Sequence, residues 1–299
     1  MMLPKLLTVA VAAALTLPAA AQTTAEDHHL FPYPQPPEGL TILRERCNFL
    51  VYHFWDRADM KKVFNQPEGL SQAFGDWMSF MPYCAPDTAR MAIKTLIANV
   101  GKDGRKLMTT ADLAERWVFG DSADFVSEEL YLPFAAAAAT SKKIPEADRK
   151  RFARDLRRIN STAIGQTLPG ITYIAPDGTS AVFDADTVAA MVVVATPGDT
   201  ESTTAAIRFS IDPSTRSLVN AGELRIAWFF TGELTDATRE ALEKLPAEWS
   251  RGVLPDAEEY FKLRMSPAVF LMDDKHRIIL KDRPYTTALQ AFTIMASGK

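Results

Sequence analysis

The chain has 299 residues, 47% of them hydrophobic, and its 37 acidic and 33 basic side chains leave a formal net charge of −4 at pH 7. That length is enough for two domains of ordinary size, each burying a core of its own. The mild acidity excludes a general nucleic-acid binder, which needs a basic face.

Residues 1–21 read as a secretory signal peptide, with Lys5, an apolar run from Leu6 to Leu17, and Ala19-Ala20-Ala21 before Gln22. The run is shorter than the roughly 20 residues a membrane-spanning helix needs, and no later stretch qualifies. The expectation is an exported, periplasmic chain with at most peripheral membrane contact. Residues 22–39 carry four prolines and no periodicity, an extended leader. His28 and His29 stand side by side there, but no further ligands follow at metal-site spacing. Neither a metal nor a cofactor is expected.

Residues 40–160 read as an all-helical domain. Leu43, Cys47, Leu50 and Phe54 recur at helical spacing and predict one buried face. Further helices are predicted through Phe74, Trp77 and Met81, from Pro86 to a stop at Gly101, from a cap near Thr110 through Leu113 and Trp117, from Ser122 through Phe125 and Leu130, and from Glu146 to Ile159. Cys47 and Cys84 are the only cysteines. In an oxidising compartment they invite a disulfide worth about 4 kcal/mol by the chain-entropy estimate. The alternative is two buried thiols that pack as small hydrophobes. His53 with Asp56 and Asp59 suggests either an acid-base or metal site or, more simply, a hydrogen-bonded histidine on a helix. The segment Lys142 to Arg158 holds eight basic and three acidic residues. It reads as a solvated helix face laced with Asp148 and Asp155, or as a contact for an anionic surface such as phospholipid headgroups.

Residues 161–299 change period, so the fold class is an all-helical domain followed by an α/β domain that opens on a β-hairpin. Ile171 to Ile174 and Ala181 to Phe183 flank the turn Pro176-Asp177-Gly178. Met191 to Ala195 is a continuous apolar strand, and a helix covers about Glu201 to Ile211. Leu224 to Phe230 is the next strand and should lie parallel to the first. A helix from Asp236 to Leu245, a hairpin of Ala268 to Met272 and Ile278 to Leu280, and a closing helix from Tyr285 to Met295 complete the order.

That order, with Gly165, Asp177-Gly178, the loop after Ala195 and Ser266-Pro267, resembles the thioredoxin-like domain of secreted bacterial thiol-disulfide oxidoreductases. Upstream, RCNFLVYHFWDRADM (Arg46 to Met60), FGDWMSFMPY (Phe74 to Tyr83) and RRIN (Arg157 to Asn160) resemble the N-terminal domain of unknown function that precedes the thioredoxin domain in one such family, as does LPAEWSRG (Leu245 to Gly252) within the later part. In that family the loop carries Asp-Pro-Asp-Cys-x-x-Cys. On this chain Pro197 matches the proline, while Asp199 and Ser202 fall where the two cysteines would be. The resemblance further implies that Ser266-Pro267 is cis and faces the Pro197 to Ser202 loop.

A carboxylate and a hydroxyl form no mixed disulfide, so dithiol exchange is not expected here. Asp199 reads as the N-cap of the helix. Ser202 lacks the Gly-x-Ser-x-Gly elbow of a hydrolase, and its one downstream histidine, His276, falls in a predicted turn. The resulting expectation is a protein without catalytic residues that holds an extended peptide or an envelope protein in the groove marked by Pro197, Asp199, Ser202, Ser266 and Pro267. A residual oxidoreductase using Cys84 or Cys47 as a lone thiol, and a structural role in envelope assembly, are the two other readings.

Overall fold

The computed structural model describes residues 29–123, 125–184 and 188–297. The predicted signal peptide and the first part of the leader, His28 included, lie outside the described residues. The described residues 29–39 form no helix or strand and are docked on the helical region. Phe31 is buried edge-on against Phe54, with ring centroids 5.7 Å apart, and the Tyr33 hydroxyl donates to Asp76 at 2.8 Å.

The helical region follows as α1 (Leu43–His53), α2 (Pro67–Phe80), α3 (Pro86–Val100), α4 (Gly104–Val118), α5 (Glu128–Thr140) and α6 (Glu146–Ser161). Its core is aromatic and small: Phe54, Phe74, Trp77, Phe119, Tyr131, Phe134 and Phe152 pack among alanines of α3, α4 and α5. Trp77 is fully buried and satisfies its indole N–H on the Val51 carbonyl at 3.0 Å. Gly75 lets α2 and α4 meet, since a Cβ there would stand 2.6 Å from the Trp117 ring.

Three boundaries differ from the sequence reading. The buried face of α1 is Cys47, Val51 and Phe54, while Leu43 is exposed. The α4 helix begins seven residues earlier than the expected Thr110 cap would place it: Asp103 caps it by accepting from the amides of Arg105 and Lys106 at 2.9 and 3.2 Å, and Thr110 instead bonds back to the Lys106 carbonyl within the helix. Ser127, not Ser122, caps α5, accepting from the Leu130 amide.

The second region is a seven-stranded mixed sheet among the described residues, in the order β2-β1-β5-β4-β3-β6-β7. The β1 (Ile171–Ile174) and β2 (Ser180–Phe183) strands form the expected hairpin. The interior strand β3 (Ala189–Ala195) is buried along its whole length. It leads into α7 (Thr200–Ile211) and α8 (Pro213–Asn220), and β4 (Leu224–Thr231) returns parallel to it, Met191 opposite Ile226. Then come α9 (Asp236–Glu243), β5 (Ser250–Leu254), α10 (Ala257–Tyr260), β6 (Ala268–Met272), β7 (Ile278–Arg283) and α11 (Tyr285–Ser297). The α8 and α10 helices and β5 are additions to the sequence reading. The β5 strand lies parallel to β4 and takes the hairpin on its other side, antiparallel to β1. Gly252 permits that contact, because a Cβ there would strike the Ile174 carbonyl and stand 2.5 Å from the Tyr173 ring.

Side chains alternate between the two faces of the sheet. Met191, Val193, Trp228 and Phe230 pack under Phe209 of α7, Leu218 of α8, Leu242 of α9 and Phe292 of α11. Val192, Val194, Phe229 and Phe270 pack on the other side against Ala257 and Phe261. The two regions touch along that second side. Arg264 donates to the Phe119 carbonyl at 2.7 Å with its guanidinium 4.9 Å from the Phe119 ring centroid, Lys262 bonds Asp121 at 2.6 Å, and Lys281 bonds both oxygens of Glu128 at 2.8 Å. Among the described residues no helix is long and apolar enough to cross a membrane.

Candidate functional site

The site lies at the C-terminal end of β3, where the apolar run stops at Ala195 and the chain turns. Pro197 fixes its own φ, and Gly198 takes φ +77°, the left-handed geometry that the second position of such a turn requires. The turn delivers Asp199 to the N-cap of α7. Its carboxylate accepts the Ser202 amide at 2.9 Å and the Ser202 hydroxyl at 2.6 Å. Hydrogen bonds from that hydroxyl first, and from the Ser202 amide next, hold the Asp199 carboxyl below the usual carboxylate range.

Ser266-Pro267 is cis, and Ser266 reaches the same cluster from the segment between α10 and β6. Its Oγ lies 3.0 Å from Ser202 Oγ and accepts the Thr196 amide at 2.8 Å. The single hydroxyl hydrogen of Ser202 goes to Asp199, so Ser266 is the donor in the contact between the two serines. The structure therefore brings together Asp199, Ser202 and Ser266, with Pro197 and Pro267 on their flanks. Ser202 is 2% exposed, and each of these polar groups has a partner.

This arrangement defines what the cluster can do. It is a helix cap closed by a second loop, with no sulfur and no histidine, its one carboxylate engaged as the cap. His276 cannot serve Ser202: it sits in the turn joining β6 and β7, and because β6 runs antiparallel to β3 with Ala268 opposite Val194 and Met272 opposite Ala190, that turn is at the other end of the sheet. His53 donates through Nδ1 to the Asp56 carboxylate at 2.7 Å on the surface of the helical region, the plain histidine–carboxylate pair expected from their spacing. Among the described residues no group of three His, Cys, Asp or Glu side chains is placed to hold a metal.

Cys47 and Cys84 are free and buried. Both belong to the core of the helical region, so neither lies in the groove as the lone-thiol reading requires. Cys84 points its Sγ at the carbonyls of Met81 and Ala85, at 3.3 and 3.5 Å. Burial pushes both thiols up, and for Cys84 the neighbouring Cys47 adds to the rise. Both stay protonated at neutral pH, the unreactive form.

Two cavities lie near the Asp199–Ser266 cluster, the first lined by Ser202 and the second reaching only Thr196, whose amide bonds Ser266. One, of about 320 Å³, opens between α7 and α9 and is mostly apolar, with Ser202, Ala206, Ile207, Trp228, Phe230 and Leu245 around it. The other, of about 410 Å³, lies beyond Thr196, where β3, β4 and β5 end and the helical region closes over them. Neither was visible in the sequence, because each gathers residues from elements far apart in the chain.

With this geometry in hand, comparison with known proteins settles the fold. The chain aligns over 89% of its length, and over 98% of the other, with a crystal structure of a thioredoxin-like protein from Bacteroides caccae at a TM-score of 0.67 and 22% identity. The fold is thioredoxin-like. Residues 13–161 match the model of a domain of unknown function, DUF5106, so this thioredoxin-like chain carries an N-terminal domain of unknown function, as its sequence suggested. The thioredoxin domain of a thiol-disulfide oxidoreductase from Bacteroides vulgatus also aligns, over 44% of this chain and 98% of that one, at 19% identity and a TM-score of 0.35. No curated protein matches the sequence.

Proposed function

We propose that this is a periplasmic thioredoxin-like protein without catalytic thiols, exported by residues 1–21, that binds an extended peptide or a segment of an envelope protein across the groove between the Pro197–Ser202 loop and Ser266-Pro267. The observation that carries this reading is a closed pair in the loop where the family resemblance would put two cysteines: Ser202 donates to Asp199 at 2.6 Å and contacts Ser266 at 3.0 Å. Every polar group there is spent on structure, so the loop is built to persist rather than to react.

Binding is supported by what surrounds the loop. The apolar cavity beside Ser202 has the size and character to take a bulky apolar side chain, and exposed Ile207 lies at its rim. A proline loop facing it offers backbone rather than side chain to a ligand, the mode by which extended peptides are held without sequence-wide specificity.

The test is to screen the purified protein against a library of short peptides and then compare Ile207→Asp and Ala206→Trp with the parent. Peptides with apolar side chains should bind saturably, and both substitutions should weaken them at least about tenfold by charging or filling the cavity. Steady-state insulin reduction above background, abolished by Cys84→Ser or Cys47→Ser, would replace this reading with a redox one.

A further inference from the structure

The second cavity is lined by a guanidinium whose hydrogen bonding the protein leaves incomplete. Arg158, near the end of α6, is 4% exposed and lines the cavity beyond Thr196. Its closest acidic neighbours are Asp155 at 3.7 Å and Glu258 at 3.5 Å, both longer than a hydrogen bond in a good ion pair. Its Nε and Nη2 are buried and have no hydrogen-bond partner. The contrast with Arg151, two turns earlier on the same helix, is direct: that guanidinium donates to Glu115 and to Asp112.

The neighbouring charges explain why Arg158 is left over. Asp155 accepts the buried Tyr131 hydroxyl at 2.8 Å and is committed to it. Asp121 is held by Lys262 at 2.6 Å. Burial first, and then the like charge of Arg154, lowers the pKa of Arg158 despite the carboxylates nearby. Among the described residues, Glu258 is the acid within 4 Å of the fork that is not otherwise bonded, and its side chain is 82% exposed, while Glu259 pairs with Arg157 at 3.6 Å. A guanidinium carries five N–H donors in a planar fork, and burying them without acceptors is costly enough that native structures rarely do it.

The cavity in front of Arg158 sits at the C-terminal ends of β3, β4 and β5, with Thr196, Thr231, Gly232, Lys262 and Phe261 around it. In open α/β sheets this end of the strands is where ligands bind. At about 410 Å³ it exceeds a single small ion and falls in the range of small-molecule sites. We infer that this cavity, where the helical region caps the thioredoxin-like sheet, is a binding site for an oxyanion group, a carboxylate or phosphate, that pairs with the Arg158 fork. The bound group displaces Glu258 toward solvent and takes further hydrogen bonds from the Thr196 and Thr231 hydroxyls. The site is distinct from the apolar cavity beside Ser202 and does not depend on peptide binding there.

Isothermal titration calorimetry of the purified protein tests this with three probes: inorganic phosphate, an acetylated tri-alanine with a free carboxylate, and the same peptide amidated. At least one of the first two should bind saturably and the amidated peptide should not. Phosphate alone would mark a phosphoryl ligand, the free peptide alone a chain end, and both a general oxyanion site. Arg158→Gln should weaken binding at least about tenfold, the cost of removing one partner of a buried charged pair. If that variant does not fold by circular dichroism, Thr231→Val at the rim provides the same readout with a several-fold loss. Glu258→Ala, a change at an exposed side chain, should strengthen binding by removing the competitor. Absence of saturable heat from both oxyanions with the parent and with Glu258→Ala, or binding unaffected by Arg158→Gln or Thr231→Val, would overturn the site.

Discussion

The helical region contains Cys47 and Cys84, buried among apolar side chains that push both thiols up. The sheet region contains the strand, the Pro-Gly turn and the helix N-terminus that elsewhere pull a thiol down, and it places Asp199 and Ser202 there instead. Sulfur and the field that would activate it are thus in different halves of one molecule. A helix N-terminus stabilises whichever anion it is given, and a cysteine away from such a field packs as a small hydrophobe. On the reading we propose, the comparison separates scaffold from chemistry: the thioredoxin-like fold is intact while the loop after β3 holds a helix cap.

The strongest way to break that comparison is to put the sulfur back. Asp199→Cys with Ser202→Cys should yield a pair that reacts with alkylating reagent near neutral pH, since each unit by which the helix lowers a thiol pKa raises the thiolate fraction about tenfold. The native thiols Cys47 and Cys84 should react only after denaturation. Slow alkylation of the new pair in a folded protein would show that the loop does not carry the expected field.

Next in size is the helical core. Trp77→Ala removes a fully buried indole and its bond to Val51, and should cost about 3–5 kcal/mol in urea unfolding. A loss under about 1 kcal/mol would contradict its place in the core.

Pairing of Cys47 with Cys84 under strongly oxidising conditions is our proposal, supported by their shared place in the core of the helical region. If they pair, treatment with a disulfide oxidant should remove both titratable thiols together, and Cys47→Ser should leave Cys84 titratable. Oxidation that leaves both thiols countable after denaturation would exclude the pairing.

A smaller effect is expected at Ser202. Replacing it with alanine removes hydrogen bonds to Asp199 and Ser266, and should cost about 1 kcal/mol, read as a lower midpoint in denaturant.

The finest comparison is in pH. The Asp199 carboxyl is held below its ordinary range, so the stability it contributes is fully present above the unfolded-state value near 3.9 and is lost as pH falls through the lower folded value. The advantage of the parent over Asp199→Asn should therefore be constant from neutrality down to about pH 4 and shrink below it. Thermal unfolding of both proteins across that window decides the matter, and a gap that widens on acidification would refute the sign.

Much of the sheet region could be read from the chain because single residues there have local causes. The seven buried residues of β3 form an unbroken apolar run, Asp177-Gly178 makes its own turn with Gly178 at φ +86°, and Pro197-Gly198 ends the strand. The β5 strand escaped notice because it opens with Ser250-Arg251-Gly252, a polar start whose burial comes only from pairing with β4 and β1. In the helical region Asp103-Gly104 looks like a turn and acts as a helix start. Arg158 was hidden in a different way: within a basic run it reads as one more solvated charge, and only tertiary packing takes it out of water. Candidate residues fixed by local geometry were therefore legible, while those made by long-range burial were not.

The carboxylate cap on α7 has one more consequence. A helix N-terminus ordinarily draws anions, but here Asp199 already occupies that position, so an incoming chain meets negative charge at this end of the Thr196–Ser202 loop and the Arg158 guanidinium beyond its other end. On the binding mode we propose, an extended peptide would favour its amino end toward Asp199 and its carboxyl end toward the separate cavity at Arg158. A retro-sequence peptide of the same composition, binding as well as the forward one, would show that this direction is not felt.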